Sequence, residues 1–205
     1  MPQIRFPSFY DLVMVPADWA GIRRHRRALV TGAAGRTLEI ASGTGLNLRH
    51  YRRVDSLVII DPSLGMLAES TRRTRHCPTA VILTAADGMA LPFADRVFDT
   101  VVLTLSLCTI PDPRATLREV ERVLAPEGEL RFLEHIRHRR AWVARIQSLL
   151  TPHWRRISGG CHLDRSTRTS IEEEGFEITW SDTAAAGWLL LGVARVNPRL
   201  SGAHP

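Results

Sequence analysis

A chain of 205 residues is long enough to bury one sizeable core and short enough to be a single domain. Its hydrophobic content of 44% and charged content of 23% exclude a disordered or low-complexity polymer. The net charge of +6 is carried wholly by arginine, and the widely spaced Cys77, Cys108 and Cys161 exclude a disulfide framework or a local zinc motif of paired cysteines.

The chain opens with FPSFYDLVMVPADWAGIRRHRR, aromatics followed by an arginine-rich helix predicted over 18–33. It lacks the apolar core of a secretory leader, and no stretch approaches about 18 apolar residues, so the chain reads as cytoplasmic and without a membrane span. Three readings of this stretch stay open: a lid in which Phe9, Tyr10 and Trp19 pack above the site, a membrane-surface helix, and a plain packing helix. A strand at 37–41 then runs into Ser-Gly-Thr-Gly and a helix predicted over 44–53. Further strands follow at 57–61, 80–84, 99–105 and 130–135, with helices at 63–76, 113–124, 139–150 and 166–174, and strands at 176–181 and 188–195 close the chain. The first five strands are near-continuous apolar runs, as strands buried on both faces are. In the 113–124 helix Asp112 is the expected cap and Pro113 suits the first position. There Leu117, Val120 and Leu124 share one face, and Glu119 can pair with Arg122 or Arg118. Such alternation implies right-handed crossovers and an α/β, doubly wound sheet with helices on both faces, whose ligands bind beyond the carboxyl ends of the strands.

The joint at LEIASGTG sharpens that expectation. Gly43 and Gly45 lie where a ligand approaches the main chain, and a helix there would direct its first N–H groups into the same space. Dinucleotide binding asks for a third glycine at position 48, which is Leu48, and a pyrophosphate sits poorly beside Glu39. An acid at that place suits a ligand bearing ammonium or sulfonium charge. Asp61 ends the next strand, where a carboxylate can accept both hydroxyls of a ribose. Asp87 follows the third strand, within reach of an adenine amino group. Together they describe a nucleoside site without phosphates.

The stretches LEIASGTG, VIIDPS with GMLAES, AADGMALPFADRVFDTVVLTLSLCTI and LREVERVLAPEGELRFLEH resemble those of class I S-adenosylmethionine-dependent methyltransferases with a methyltransferase type 11 domain. The resemblance covers roughly residues 10 to 195. It implies a Rossmann-like, seven-stranded sheet whose last strand is antiparallel. It implies that Glu39, Ala41, Gly43 and Gly45 line the methionine moiety, that Asp61 holds the ribose with Met66 beside it, that Asp87 and Gly88 meet the adenine, and that Thr104 and Leu105 close the pocket floor. Ala41 stands where many members have a glycine, at little cost if its φ is negative. On this reading residues 34–136 form the cofactor-binding core, 137–170 an acceptor-side insertion, 171–205 the last strands and tail, and 1–33 a helical lid.

For the acceptor, TLSLCTIPDP lacks the Asn/Asp-Pro-Pro-aromatic sequence of amino-directed nucleic-acid methyltransferases, and a paired-glutamate loop is absent too. A small-molecule acceptor is therefore expected, and no nucleic acid. Gly160, Cys161, Leu163 and Arg165 resemble an element of the methyltransferase-like group that includes alkyl-thiol S-methyltransferases. Thiol S-methylation is thus the first expectation. Quinone methylation, phospholipid N-methylation and a non-catalytic cofactor-binding module are the alternatives, and peripheral membrane contact stays open. A thiol acceptor must become a thiolate. His135, His162 and Asp164 are the catalytic candidates, with Glu134 meeting the substrate or pairing with an arginine, and with His153 and Trp154 in the same segment. Cys108 and Cys161 read as packing residues, and no metal is expected.

Overall fold

The computed structural model describes residues 21–197. Phe9, Tyr10 and Trp19, and with them the choice among the three readings of the opening stretch, lie outside them. Seven strands form one sheet in the order β3-β2-β1-β4-β5-β7-β6. They are β1 (Ala34–Ile40), β2 (Arg53–Ile60), β3 (Val81–Thr84), β4 (Phe98–Thr104), β5 (Leu124–His135), β6 (Phe176–Ala184) and β7 (Leu189–Val196). All neighbouring pairs among β1–β5 are parallel, while β7 runs antiparallel to both β5 and β6. This is the sheet expected from the sequence.

The helices are α1 (Arg23–Thr31), α2 (Leu64–Arg73), α3 (Pro113–Val123), α4 (Ala141–Ile157) and α5 (Thr167–Glu173). Asp112 caps α3 by accepting from the Arg114 and Ala115 N–H groups, both at 3.0 Å, and Glu119 pairs with Arg122 as expected. One core cluster packs α3 against Leu38, Ile40, Val101, Leu103 and Phe132, while another on the opposite face joins Val30, Leu48, Tyr51, Leu57 and Val102. A further cluster gathers Leu29, Leu105, Cys108, Leu133, Cys161, Leu163 and Leu189 towards β7.

The largest differences from expectation lie in three elements. The segment 44–53 holds tight turns to Asn47, a 3-10 turn at Leu48–His50 and the start of β2, not an α-helix. Gly45 takes φ +80°, and Leu48 and His50 donate three residues back, so the wider helical turn cannot start. The apolar spacing that suggested a helix comes from Leu48 and Tyr51 dropping into the core. Helix α4 continues through Pro152 to Ile157, because Val143, Ala144, Gln147 and Thr151 anchor one side of it. Its other side leaves Trp142, Ile146, Leu149 and Ile157 exposed. Strand β5 also starts earlier than expected, at Leu124, with an irregularity opposite Phe98–Thr100.

Register positions the site. Ile40 pairs with Ile60 and Leu103, and Thr104 with Leu133, so Ala41, Asp61, Leu105 and Glu134 reach one edge of the sheet together. The chain order reverses between β1 and β4, and the crevice at such a reversal is where ligands of open α/β sheets sit. Among the described residues no helix is long and apolar enough to cross a membrane.

Candidate active site

The loop after β1 is built around positive φ. Ala41, Gly43 and Gly45 stand at +53°, +56° and +80°. Glycine is needed at Gly45 for space as well, since a Cβ there would lie 2.8 Å from Leu48 and 2.9 Å from Ser70 Oγ. At Gly43 a Cβ would meet no atom of the described residues within 4 Å, so among them the main chain there is open to a ligand. The negative φ expected of Ala41 is not found. A left-handed alanine costs roughly 1 kcal/mol, so Ala41→Gly should raise stability by about that amount in urea unfolding. An unchanged or lower stability would show that Ala41 is not strained.

Glu39 lies beneath this loop, 1% exposed. Its carboxylate accepts from Tyr51 Oη at 2.6 Å and Asn47 Nδ2 at 2.8 Å. Asn47 also meets Thr104 Oγ1 at 2.9 Å and receives Arg26 Nη1 at 3.0 Å. Burial pushes Glu39 up to about 7, against the hydrogen bonds from Tyr51 and Asn47. The folded chain therefore binds a proton that the unfolded chain releases near the ordinary carboxyl value. The stability this lends is complete below about pH 4.5 and is lost as pH rises through 7. Relative to Glu39→Gln, the wild-type chain should lose up to about 3 kcal/mol between pH 4.5 and 8. Urea titrations at both ends of that range check this, and a difference independent of pH would contradict it.

Asp61 closes the second side. Its Oδ2 accepts the Gly43 N–H at 2.9 Å and its Oδ1 the Ser63 N–H at 2.8 Å. Burial raises its pKa, while those N–H groups oppose the rise. Each oxygen keeps acceptor capacity for a ligand hydroxyl. Met66 is buried in the first turn of α2, where the Ser63 hydroxyl accepts its N–H. Asp87 is exposed, with Oδ1 on the Met89 N–H at 2.9 Å, and Gly88 is buried against Ile40, where a Cβ would come within 2.7 Å. Thr104 ends β4, and Leu105, the residue after it, takes φ +56°.

Beyond β5 lies a cavity of about 430 Å³, walled mainly by Ile22, Leu150, Trp154, Leu163, Trp188 and Leu189. Among the described residues, the titratable side chains in its wall are His25 and His135. Of the three catalytic candidates only His135 lines it. His162 is held through its backbone N–H on the Cys108 carbonyl, and burial followed by Arg165 and Arg155 lowers its pKa. Asp164 accepts from Ser148 Oγ at 2.9 Å and Thr151 Oγ1 at 3.2 Å, which ties its loop to α4. His153 is exposed on α4.

The hydrogen bonds of Glu134 go to neither a substrate nor an arginine. Fully buried, it accepts from the N–H groups of Ser106, Leu107 and Cys108 and from Ser106 Oγ, holding the turn after β4. Sequence reasoning missed Arg26, Asn47 and Tyr51, which complete the network around Glu39. Arg26 is hidden in a run of similar residues, and Asn47 and Tyr51 fall in the segment expected to be a helix.

Residues 38–132 match the family described as "Methyltransferase domain". Thiol S-methyltransferase TMT1B of Rattus norvegicus is 35% identical over 162 residues, which cover 76% of this chain and 66%, just under two thirds, of that protein. Demethylmenaquinone methyltransferase of Corynebacterium urealyticum is 37% identical over 113 residues, covering 55% of this chain and 46% of that one. The solved DhpI–SAH complex superposes with a TM-score of 0.63 at 26% identity, over 91% of this chain and 87% of that chain. The loop and the acids at the strand ends all fall within the matched stretch: residues 38–132 are similar to methyltransferase domains, and a solved neighbour of the same fold is a complex with SAH.

Proposed function

We propose that the chain transfers the methyl group of S-adenosylmethionine to a small apolar thiol. The observation that carries this is the largely apolar cavity beyond β5, with His135 in its wall. The open main chain at Gly43 and the spare acceptor positions of Asp61 suit a nucleoside that carries no phosphate. Asp61 holds the ribose, Asp87 and Gly88 meet the base, and Ala41, Gly43, Thr104 and Leu105 surround the amino-acid end, with Glu39 supporting them from below. The bound cofactor supplies an electrophilic methyl on a sulfonium.

The chain's own part is to exclude water and orient the acceptor. Trp154, Trp188, Leu150 and Leu163 remove an acceptor from solvent, which favours in-line displacement when the nucleophile is held close to the methyl carbon. His135 is mostly withdrawn from solvent, and its Nδ1 lies 3.3 Å from Cys161 Sγ. Burial pulls its pKa down, but the hydrogen bond with Cys108 and the charge of Glu134 outweigh this and leave it raised. A ring so placed forms part of the wall against which the acceptor packs. The likeness to thiol S-methyltransferases supports the thiol, and that to demethylmenaquinone methyltransferases supports a quinol as the second reading.

A panel of alkyl and aromatic thiols, quinols and lipid amines, read as S-adenosylhomocysteine release, tests the acceptor. Turnover with thiols is the expected result. Turnover with a quinol and none with thiols would overturn the acceptor and leave the cofactor site standing.

A further inference from the structure

Two cysteines and a histidine that lie far apart in the chain meet at the acceptor end of the sheet. Cys108 sits in the turn after β4, His135 ends β5, and Cys161 lies between α4 and α5. Cys161 Sγ is 3.3 Å from Cys108 Sγ and 3.3 Å from His135 Nδ1, and the three donor atoms all lie within 4.8 Å of one another. A tetrahedral zinc ion at ordinary bond lengths spans roughly 3.6–3.8 Å between such donors. Both separations from Cys161 are thus within about half an ångström of those an ion would set.

We propose that Cys108, Cys161 and Nδ1 of His135 form a three-ligand site for a thiophilic divalent cation, zinc foremost, whose fourth position takes the acceptor thiol. Two thiolates and an imidazole are the donor set such ions prefer. Among the described residues no further His, Cys, Asp or Glu joins the cluster. A tetrahedral ion therefore keeps an open position, as in catalytic rather than structural zinc sites. His135 is also part of the cavity wall, so the ion would adjoin the acceptor space.

The surroundings fit a cation. Two thiolates cancel a divalent charge. The buried Glu134 carboxylate is offset by Arg165, which donates to the Leu107 and Ile110 carbonyls on the same turn. Both donor-bearing stretches are fixed from behind: Glu134 accepts the Cys108 N–H at 3.1 Å, and Thr167 Oγ1 donates to the His135 carbonyl at 3.0 Å. A free thiol is protonated at neutral pH, so the ion must displace protons to bind.

The role of the ion rests on the thiol reading of the acceptor; its binding does not. The acceptor S–H bond breaks, the proton leaves to solvent, and the sulfur binds the ion as a thiolate. That sulfur then forms a bond to the sulfonium methyl as the methyl–sulfonium bond breaks, giving a neutral thioether and S-adenosylhomocysteine. A thioether is a weak ligand and departs.

Cobalt(II) added to the chelator-stripped full chain, under a non-thiol reductant, tests the site. The expected result is one ion per chain, tetrahedral visible bands, charge-transfer intensity for two thiolates, and release of about two protons per ion at neutral pH. Cys108→Ser and Cys161→Ser should each weaken zinc binding roughly 100-fold or more. Cys77→Ser should not, since Cys77 packs in a different cluster. The native chain's charge-transfer intensity carries the test even if a serine variant fails to fold. Absence of thiolate charge transfer overturns the site. A small alkyl thiol should shift the visible bands and add a third thiolate's intensity, and a spectrum indifferent to thiols overturns the fourth-ligand role. If quinols turn over, thiols do not and cobalt still reports two thiolates, the acceptor reading has failed and the ion site stands.

Discussion

Asp61→Ala should weaken S-adenosylhomocysteine binding by about 100-fold or more, measured by calorimetry. The proposed function gives this carboxylate both ribose hydroxyls, and hydrogen bonds to a charged group contribute about 1.5–3 kcal/mol each. The same change strips the Gly43 and Ser63 N–H groups of their acceptor, which loosens the loop that carries Gly43. Asp61→Asn separates the two effects. An amide keeps one acceptor oxygen, so it should retain part of the affinity while placing a donor against one of those N–H groups. Undiminished affinity in Asp61→Ala would mean that the ribose lies elsewhere.

The second large effect is on stability. Glu134→Ala removes the acceptor of three backbone N–H groups and one hydroxyl at a site without solvent. An unpaired buried donor costs about 1–3 kcal/mol, so the variant should lose about 3 kcal/mol or more. For a chain of this size that is a fall in Tm of roughly 6–12 °C. Glu134→Gln should lose less. Oε1 takes the Ser106 and Leu107 bonds and an amide oxygen can keep them, whereas Oε2 takes the Cys108 N–H, where an amide nitrogen cannot. Equal losses for the two variants would contradict this assignment. The loss should extend to acceptor turnover, because the turn that Glu134 holds carries Cys108 and follows Leu105.

All seven strands are legible in the sequence because a doubly wound sheet buries both faces of its inner strands. Runs such as VVLTL and LVII, at 101–105 and 57–60, are short, continuously apolar and rich in β-branched residues, which suits a buried strand and little else. The acids at the strand ends are legible for a related reason: a carboxylate closing an apolar run is costly unless something uses it. Asp61 is legible in this way and sits at the expected edge. Glu39 is legible as an unusual acid, but its immediate partners are not, since Asn47 and Tyr51 reach it through a loop shaped by positive φ at Ala41, Gly43 and Gly45. Local propensity carries no information on such a path.

The acceptor side is harder to read for a physical reason. Its cavity takes residues from α1, β5, α4 and β7 together, and the distances among them are set by tertiary packing alone. Cysteine spacing addresses only pairs close in sequence. It is silent on Cys108 and Cys161, which the parallel crossover and the Arg165 anchor bring within 3.3 Å of each other. Pro152, expected just beyond the end of a helix, lies inside α4 because the buried side of that helix outweighs the missing N–H.

The cofactor site is tested most directly by calorimetric titration of the purified full chain with S-adenosylhomocysteine, with ATP as the comparison. One S-adenosylhomocysteine per chain and no binding of the triphosphate is the expected result, because Glu39 and Asp61 leave no place for phosphate charge. Tight binding of ATP, or no heat with S-adenosylhomocysteine, would contradict the phosphate-free nucleoside site on which the proposed function rests.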